Sequence, residues 1–391
     1  MKILYVCTHP HINIAEHSGP GTHVREVIEA LRNEGQEVSI YAAGGDQIGT
    51  NLPQASNRAK SSLRKWIPRF IWESLKEFQL LRHNRRMIAV LQEVIQREQP
   101  DMVYERAYYL QTACSILCHR MGIKHIIEIN APYPEEKKAM QGAGCFHFLS
   151  KRSERQQVEL SSKVIVVSSA LKNYLQKKNQ VDATKIEVIP NAVRHDFGKN
   201  RNALSVQSKW NIREGDFVIG FVGSIFPYHG VDRLIAAFAS LQNHTQWPKL
   251  KLLIVGNGEI LPQLKNMSDS LGLSDRVVFT DKVPHDEVAS YIECMHVAVM
   301  PHSNWYGSPV KIFEYAALKK MVIAPNNVPV RDVMVDGEDG LLISDDQEEL
   351  NQALRKTLDA ESAVHTMALN FHTKVMASYT WQRVGQKILH L

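Results

Sequence analysis

Lys311 and Glu314 stand three residues apart just behind Ser308-Pro309, in the stretch Ser308-Pro309-Val310-Lys311-Ile312-Phe313-Glu314-Tyr315-Ala316-Ala317. Pro309 suits the first turn of a helix, where a missing N–H costs nothing, and Ser308 ahead of it is a good cap, so a helix is predicted to begin here. A helix N-terminus presents unpaired N–H groups and partial positive charge. Lys311 in the first turn does not complement that dipole but strengthens an anion site, best suited to phosphate. About one turn along the same face, the Glu314 carboxylate can accept from two ribose hydroxyls. Lysine for phosphate and glutamate for sugar describe a nucleotide. An amphipathic helix with a surface Lys–Glu pair accounts for these residues equally well, so the surrounding chain has to decide.

Elements able to position such a pair recur along the sequence. Ile3-Leu4-Tyr5-Val6 reads as a strand, Ser18-Gly19-Pro20-Gly21-Thr22-His23 as a loop, and Val24, Val27, Ile28 and Leu31 as the apolar face of a helix before the strand Val38–Tyr41. Strand, glycine loop, helix and strand form the first unit of a doubly wound nucleotide-type domain. Gly19 and Gly21 would let backbone N–H groups approach a ligand, but their spacing is not the dinucleotide fingerprint, which argues against a dehydrogenase; a plain loop is the alternative. The strands ending at Glu105-Arg106 and at Glu128-Ile129-Asn130 repeat the pattern. In open parallel sheets ligands sit beyond the carboxyl ends of strands, so Glu105, Arg106, Glu128 and Asn130 are predicted to share one crevice. A charged helical stretch over 135–160 is interrupted near Gly142 and Gly144. Lys163–Val167 and Ile186–Ile189 complete a first domain, 1–191.

Residues 192–215 are polar and lack clear periodicity, as suits a linker. A second α/β series over 216–375 follows, with strands predicted at Phe217–Ser224, Lys251–Val255 with a glycine turn after it, Val277–Thr280, Val297–Pro301 and Met321–Ala324. Its first strand, ending at Gly223-Ser224, runs into Pro227-Tyr228-His229-Gly230. Two parallel-sheet domains imply a cleft. A final helical segment, about 376–391, closes the chain.

A chain of 391 residues is too long for one ordinary core, and a net charge of +5 is too modest for a dedicated nucleic-acid binder. Basic surface is instead local. Residues 58–86 hold Arg58, Lys60, Arg64, Lys65, Arg69, Lys76, Arg82, Arg85 and Arg86 against only Glu73 and Glu77, with Trp66, Phe70, Ile71 and Trp72 interleaved. That composition suits peripheral attachment to anionic lipid, each cation near the surface contributing ~1 kcal/mol, or else a solvated helix whose aromatics enter the core. With no secretory signal ahead of the first strand and no apolar run approaching ~20 residues, the expected location is cytoplasmic, with peripheral contact at the inner face of the membrane as an option. Five scattered cysteines, of which only Cys114 and Cys118 are close and at helical spacing, are expected to be reduced, with no structural metal.

Six segments in order then carry a family resemblance. They are Ser18-Gly19-Pro20-Gly21-Thr22-His23-Val24, Val188-Ile189-Pro190-Asn191, Phe221-Val222-Gly223-Ser224, Val255-Gly256-Asn257-Gly258, the Lys311–Glu314 helix and Asp336-Gly337-Glu338-Asp339-Gly340. Their layout resembles the retaining glycosyltransferases of family 4 (glycosyl transferases group 1). The resemblance implies an α/β chain of the GT-B type, with two Rossmann-like domains whose parallel sheets face each other across a cleft. In that family the second domain binds a nucleotide-diphosphate sugar and the first binds the acceptor; the final helix returns to the first domain. No metal or cofactor is required.

Residue by residue, Lys311 resembles the phosphate-binding lysine and Glu314 the ribose-binding glutamate, and the turn Tyr306-Gly307-Ser308 would offer N–H groups to the diphosphate or sugar. Three departures stand out. Tyr306 replaces a frequent acidic residue eight positions before the ribose glutamate. Ser224 and His229 replace an arginine and a lysine, so diphosphate neutralisation would rest on Lys311, helped by Ser224, the Gly230 N–H and a protonated His229. Lys319 and Met321 replace a glycine and a proline after the helix, which suggests a less sharp helix stop. The implied activity is transfer of a sugar, with retention, to a hydroxyl acceptor that can be a lipid-linked or glycan intermediate. Glu128 and Asn130 are the candidates for holding acceptor or sugar beside a catalytic Lys311. An epimerase or phosphorylase on the same fold, or a catalytically inert nucleotide-sugar binder, are the rival readings.

Overall fold

The computed structural model describes residues 1–10, 12, 14, 19–44, 68–179 and 181–391. These form two compact units, Met1–Ile189 with Val384–Leu391, and Pro190–Arg383. In the first unit the strands β1 (Lys2–Cys7), β2 (Glu37–Ala42), β3 (Met102–Arg106), β4 (Lys124–Ile129), β5 (Lys163–Val166) and β6 (Ile186–Val188) pair in parallel in the order β2-β1-β3-β4-β5-β6. Between them run α1 (Gly19–Asn33), α2 (Arg69–Glu98), α3 (Ala113–Met121), α4 (Tyr133–Gln141), α5 (Phe148–Leu160) and α6 (Ser169–Asn179). Chain order reverses between β1 and β3, so the crevice where a doubly wound sheet takes its ligand lies beyond Cys7 and Arg106. The expected loop at Gly19 and Gly21 is replaced by the first turn of α1, a position that tolerates both glycine and proline because the first N–H groups have no intrahelical partner anyway.

Helix α2 corrects the sequence reading of the basic segment. Arg58, Lys60, Arg64, Lys65 and Trp66 lie outside the described residues. Over its first turns, to about Phe78, the helix is inside out, whereas farther on it buries Met87, Leu91, Val94 and Ile95 in the ordinary way. Glu73 and Glu77 are buried, whereas Phe70, Ile71, Leu75 and Phe78 are exposed. The carboxylates are tolerated because each is fully engaged. Glu73 takes Lys137 and Lys76 at 2.5 and 2.8 Å, and Glu77 accepts from the Gly144 and Phe146 N–H groups and the Tyr109 hydroxyl. Glu77 thereby fixes the break between α4 and α5 that the glycines at 142 and 144 announced.

In the second unit β7 (Phe217–Val222), β8 (Leu250–Val255), β9 (Val277–Phe279), β10 (Val297–Val299), β11 (Met321–Pro325) and β12 (Leu341–Ile343) pair in parallel in the order β12-β11-β10-β7-β8-β9. The helices are α7 (Ala203–Lys209), α8 (Val231–Ala239), α9 (Leu261–Ser270), α10 (Val288–Glu293), α11 (Val310–Ala317), α12 (Val328–Arg331), α13 (Gln347–Asp359) and α14 (Glu361–Ser378); α15 (Trp381–Leu389) starts in this unit and ends in the first. Strands such as Leu250–Val255 are apolar nearly throughout because helices cover both faces. Order reverses here between β7 and β10, which puts the ligand crevice at Gly223-Ser224 and the loop leading into α11.

Two further expectations change in this unit. The stretch 192–215 is no free linker: Ala192, Val193, Val206 and Ile212 are buried, and Val193 exchanges backbone hydrogen bonds with Tyr379 and Trp381. Its polarity is that of one helix, α7, exposing its outer face. The helix α11 also stops as sharply as one ending in glycine. Lys319 itself adopts the left-handed conformation, with φ of 55°, and the Lys320 N–H donates back to the Tyr315 carbonyl.

Candidate active site

The switch-point crevice of the second unit is built around Lys311. Helix α11 is pinned by Tyr315, whose hydroxyl accepts from the Val222 N–H at 2.9 Å, and by His372, whose ring binds the Ala316 carbonyl. That pinning directs the Lys311 side chain under the end of β7. Its Nζ lies 4.2 Å from the centre of the Phe221 ring, and a Cβ added to Gly223 would fall 2.7 Å from it. Gly223 therefore leaves the space that the ammonium occupies. The residue is only partly buried as a whole, but Nζ is withdrawn from solvent and has no hydrogen-bond partner among the described residues. Burial pushes its pKa down to about 7, against the opposing pull of Glu314 on the same helix. A buried donor without an acceptor is a costly arrangement that an anion would relieve.

Backbone fixes the floor of this crevice. The turn after β7 lies directly against the turn after β8, with Gly223 N–H donating to Val255 O and Ile225 N–H to Asn257 O. A Cβ on Gly256 would sit 2.0 Å from the Gly223 carbonyl oxygen and one on Gly258 2.1 Å from that of Ile225, so only glycine fits at either position.

Several predicted donors prove to be engaged already. Ser308 does not cap α11. Pro309 occupies the N-cap position, while the Ser308 hydroxyl accepts from the Asn191 N–H and its carbonyl from Asn191 Nδ2. The N–H groups of Tyr306 and Gly307 both donate to Asn304 Oδ1, at 3.3 and 2.6 Å. The Gly230 N–H closes the short turn onto Pro227. His229 is not a cation: burial and the neighbouring Lys311 push its pKa down to about 4, and its Nδ1 lies 2.5 Å from the Ser224 carbonyl, to which it can only donate. Ser224 is exposed. Of the predicted group, then, Lys311 alone brings positive charge and Glu314 the carboxylate. Asn304 is the residue the sequence did not single out, and Asn191, seen only as part of a family segment, was given no role. A cavity of about 920 Å³ opens at the other end of the strands, beside Phe217 and His296, away from this chemistry.

In the first unit, side chains alternate along β3, and this separates residues predicted to lie together. Arg106 points to the same face as Tyr104, toward Glu128, whereas Glu105 points to the other face, where it pairs with His125 at 3.0 Å and accepts from the Ser115 hydroxyl. Glu128 is buried and saturated. His23 Nε2 lies 2.5 Å from it, the Tyr104 hydroxyl donates at 2.9 Å, and an Arg106 nitrogen is 3.7 Å away. Burial raises its pKa, but His23, Arg106 and Asn130 together outweigh that and hold it at about 2. A carboxylate so held is a poor base and no free nucleophile; it pairs with the ring of His23, whereas Arg106 Nη1, 3.7 Å away, has no hydrogen-bond partner among the described residues. Around the same strand ends, Tyr108 packs edge-on against both His9 and Tyr133.

Comparison with known proteins fits both halves. Residues 17–197 match the model of glycosyltransferase family 4, and residues 205–371 match that of glycosyl transferases group 1. The chain belongs to this GT-B glycosyltransferase family. An uncharacterized glycosyltransferase of Haemophilus influenzae is 25% identical over 345 residues, covering 85% of this chain and 84% of that protein. The alpha-D-kanosaminyltransferase of Streptomyces kanamyceticus is 22% identical over 61% of this chain, and the aligned part spans 62% of its own length; for an uncharacterized glycosyltransferase of Methanocaldococcus jannaschii that share is 55%. Among solved structures, sucrose-phosphate synthase from Thermosynechococcus elongatus superposes with a TM-score of 0.75 at 17% identity, covering all of this chain and 98% of that one. Anabaena HepE in complex with UDP follows at 0.73 and 17%, covering all of this chain and 99% of that one. At such identities the structural likeness speaks for the GT-B fold alone.

Proposed function

We propose that this GT-B glycosyltransferase moves a sugar from a nucleoside-diphosphate sugar to a hydroxyl acceptor, with retention at the anomeric carbon and without a metal. One observation carries the reading: a lysine ammonium, withdrawn from solvent and lacking an acceptor, one helical turn from a carboxylate able to hold ribose hydroxyls. The hard event in such a transfer is departure of the diphosphate. Lys311 places a donor where that negative charge grows, already fixed by Tyr315 and Gly223, so little reorganisation is needed. No protein nucleophile is assigned. Since HepE has been crystallised with UDP and with UDP-glucose, a uridine nucleotide is the first donor to try. Acceptor recognition is assigned to the first unit, through Arg106, Asn130 and the aromatic group around Tyr108. The apolar row Phe70, Ile71, Leu75 and Phe78 on α2, with Arg82, Arg85 and Arg86 farther along the helix, supports contact with anionic membrane or a lipid-linked acceptor; among the described residues no helix is long and apolar enough to cross a bilayer.

The test is release of nucleoside diphosphate from a panel of nucleotide-sugars, with and without hydroxyl acceptors. Turnover with one donor in the presence of acceptor is expected. The neutral Ser224 and His229 favour one rival, an inert nucleotide-sugar binder. Tight donor binding with no release under any acceptor would establish that rival instead.

A further inference from the structure

The face of the first unit's sheet opposite Glu128 holds a group that the glycosyl-transfer reading does not use. Cys114 and Cys118 lie one turn apart on α3, His125 stands near the start of β4, and Glu105 is in β3. All four are fully buried. The two sulfurs are 4.0 Å apart, Cys114 Sγ is 3.9 Å from His125 Nε2, and that nitrogen is 3.0 Å from Glu105 Oε2. The ligand atoms of Cys114, Cys118 and His125 all lie within 4.8 Å of one another. A tetrahedral zinc ion, with bonds of about 2.3 Å to sulfur and about 2.0 Å to nitrogen or oxygen, places its ligand atoms about 3.3–3.8 Å apart. The separations of 3.0, 3.9 and 4.0 Å lie around that range and the remaining pair of the trio is within 4.8 Å, so the side chains must close in by a few tenths of an ångström to about 1 Å, with Glu105 entering through its contact to His125. A second observation points the same way: the other carboxylate oxygen, Glu105 Oε1, is buried and has no hydrogen-bond partner among the described residues.

We propose that Cys114, Cys118, His125 and Glu105 form a structural zinc site. The donor set of two thiolates, one imidazole and one carboxylate suits zinc better than calcium or magnesium, and four protein ligands leave no open position for chemistry. On binding, the two thiol protons leave to solvent as the sulfurs bond the metal. The imidazole proton moves from Nε2 to Nδ1, so that Nε2 can take the metal in place of its hydrogen bond to Glu105. His125 Nδ1 finds no partner among the described residues, so the usual outer hydrogen bond is missing and the four ligands alone set the affinity. The ion ties α3 to β3 and β4. Because Arg106 follows Glu105 in β3, the metal braces the strand that presents Arg106 on the opposite face.

The experiment uses the full-length protein, purified from zinc-sufficient medium without chelator. Elemental analysis is expected to find stoichiometric zinc. Replacement by cobalt should give the absorption of a tetrahedral centre with thiolate-to-cobalt charge transfer. Cys118→Ser and Glu105→Gln should each weaken metal affinity at least about tenfold, and a strong chelator should lower the melting temperature of the parent protein more than that of Cys118→Ser. Parent protein that holds no zinc after reconstitution and dialysis, and whose cobalt form lacks the thiolate band, overturns the proposal. So does zinc retained undiminished in a folded Cys114→Ser/Cys118→Ser double variant, since the metal would then sit elsewhere. Should the variants fail to fold, the cobalt spectrum of the parent decides.

Discussion

Raising the pH should weaken binding of a nucleotide-sugar in a way that depends on Lys311 alone. In the free protein burial holds this lysine at about 7. A diphosphate seated on Nζ favours the charged form and returns the pKa toward its ordinary 10.5, so binding above neutrality must draw a proton from solvent. From the free-state value, about nine-tenths of the molecules carry the proton at pH 6 and about one-tenth at pH 8. Affinity is therefore expected to fall about tenfold across that interval, or ~1.4 kcal/mol, with uptake of about half a proton per ligand at pH 7. Titration calorimetry in buffers of different ionisation enthalpy reads both numbers. UDP-glucose is a suitable ligand because its diphosphate is esterified at both ends and does not itself titrate here. His229, at about 4, titrates below the window. The stability of the free protein carries the opposite sign. Between about 7 and 10.5 the unfolded chain keeps a proton that the folded one has lost, so this group makes stability rise with pH over that range. Lys311→Met should bind more weakly and show neither slope. Affinity independent of pH from 6 to 8 in the parent, or a slope surviving in Lys311→Met, would refute the reasoning.

Three other outcomes are expected. Glu314→Ala should leave melting unchanged and cost on the order of 2–4 kcal/mol of nucleotide-sugar binding, by loss of charge-assisted bonds to ribose; an unaltered calorimetric titration would remove Glu314 from the site. His23→Ala deprives the buried Glu128 of its nearest partner while Tyr104 and Arg106 remain, and should destabilise the protein by about 1–3 kcal/mol in denaturant melts at neutral pH. Because Glu128 is held at about 2, its contribution is complete above about 4.5 and disappears as pH falls through 2, so the difference between parent and variant should shrink in acid. Lys319→Gly, at an exposed position with φ of 55°, should stabilise by about 1 kcal/mol, since a side chain in the left-handed region costs roughly 1–2 kcal/mol; a lower denaturation midpoint would show that the Lys319 side chain matters more than its backbone.

What was legible in the sequence followed local periodicity. The strands around 3–6, 102–106 and 251–255 are apolar runs that end in polar or glycine residues, and nothing distant changes that signal. β12, Leu341–Ile343, was not foreseen, although β9 and β10 are just as short. The separation of Glu105 from Arg106 was in principle readable, since neighbours on a strand face opposite ways. So was the engagement of Tyr306 and Gly307 by Asn304, a short side chain two to three residues upstream that folds onto its own backbone. Other features were not local. Ser308 loses its capping role to Asn191, 117 residues away, and Glu105 meets His125 only through the pairing of β3 with β4. The inverted face of α2 was hidden for a related reason. Glu73 and Glu77 look like solvent-facing charges until Lys137 and the N–H groups of Gly144 and Phe146 are brought to them.

The two switch-point crevices use charge in opposite ways, and the difference bears on the departures at Ser224 and His229. At Glu128 the carboxylate finds its partners within the first unit, so its protonation is settled well below neutrality. At Lys311 the charge is withheld: without a ligand, the proton is held only about half the time near pH 7. Further cations at positions 224 and 229 would repel that proton and lower the lysine still more. A serine and a neutral histidine remove direct attraction for the diphosphate, but they also leave Lys311 easier to charge when an anion arrives. Loss of two cations is thus partly offset by the third. Restoring arginine at position 224 should accordingly strengthen nucleotide binding by less than an isolated Arg–phosphate contact would suggest, because part of the gain is spent in making Lys311 harder to protonate.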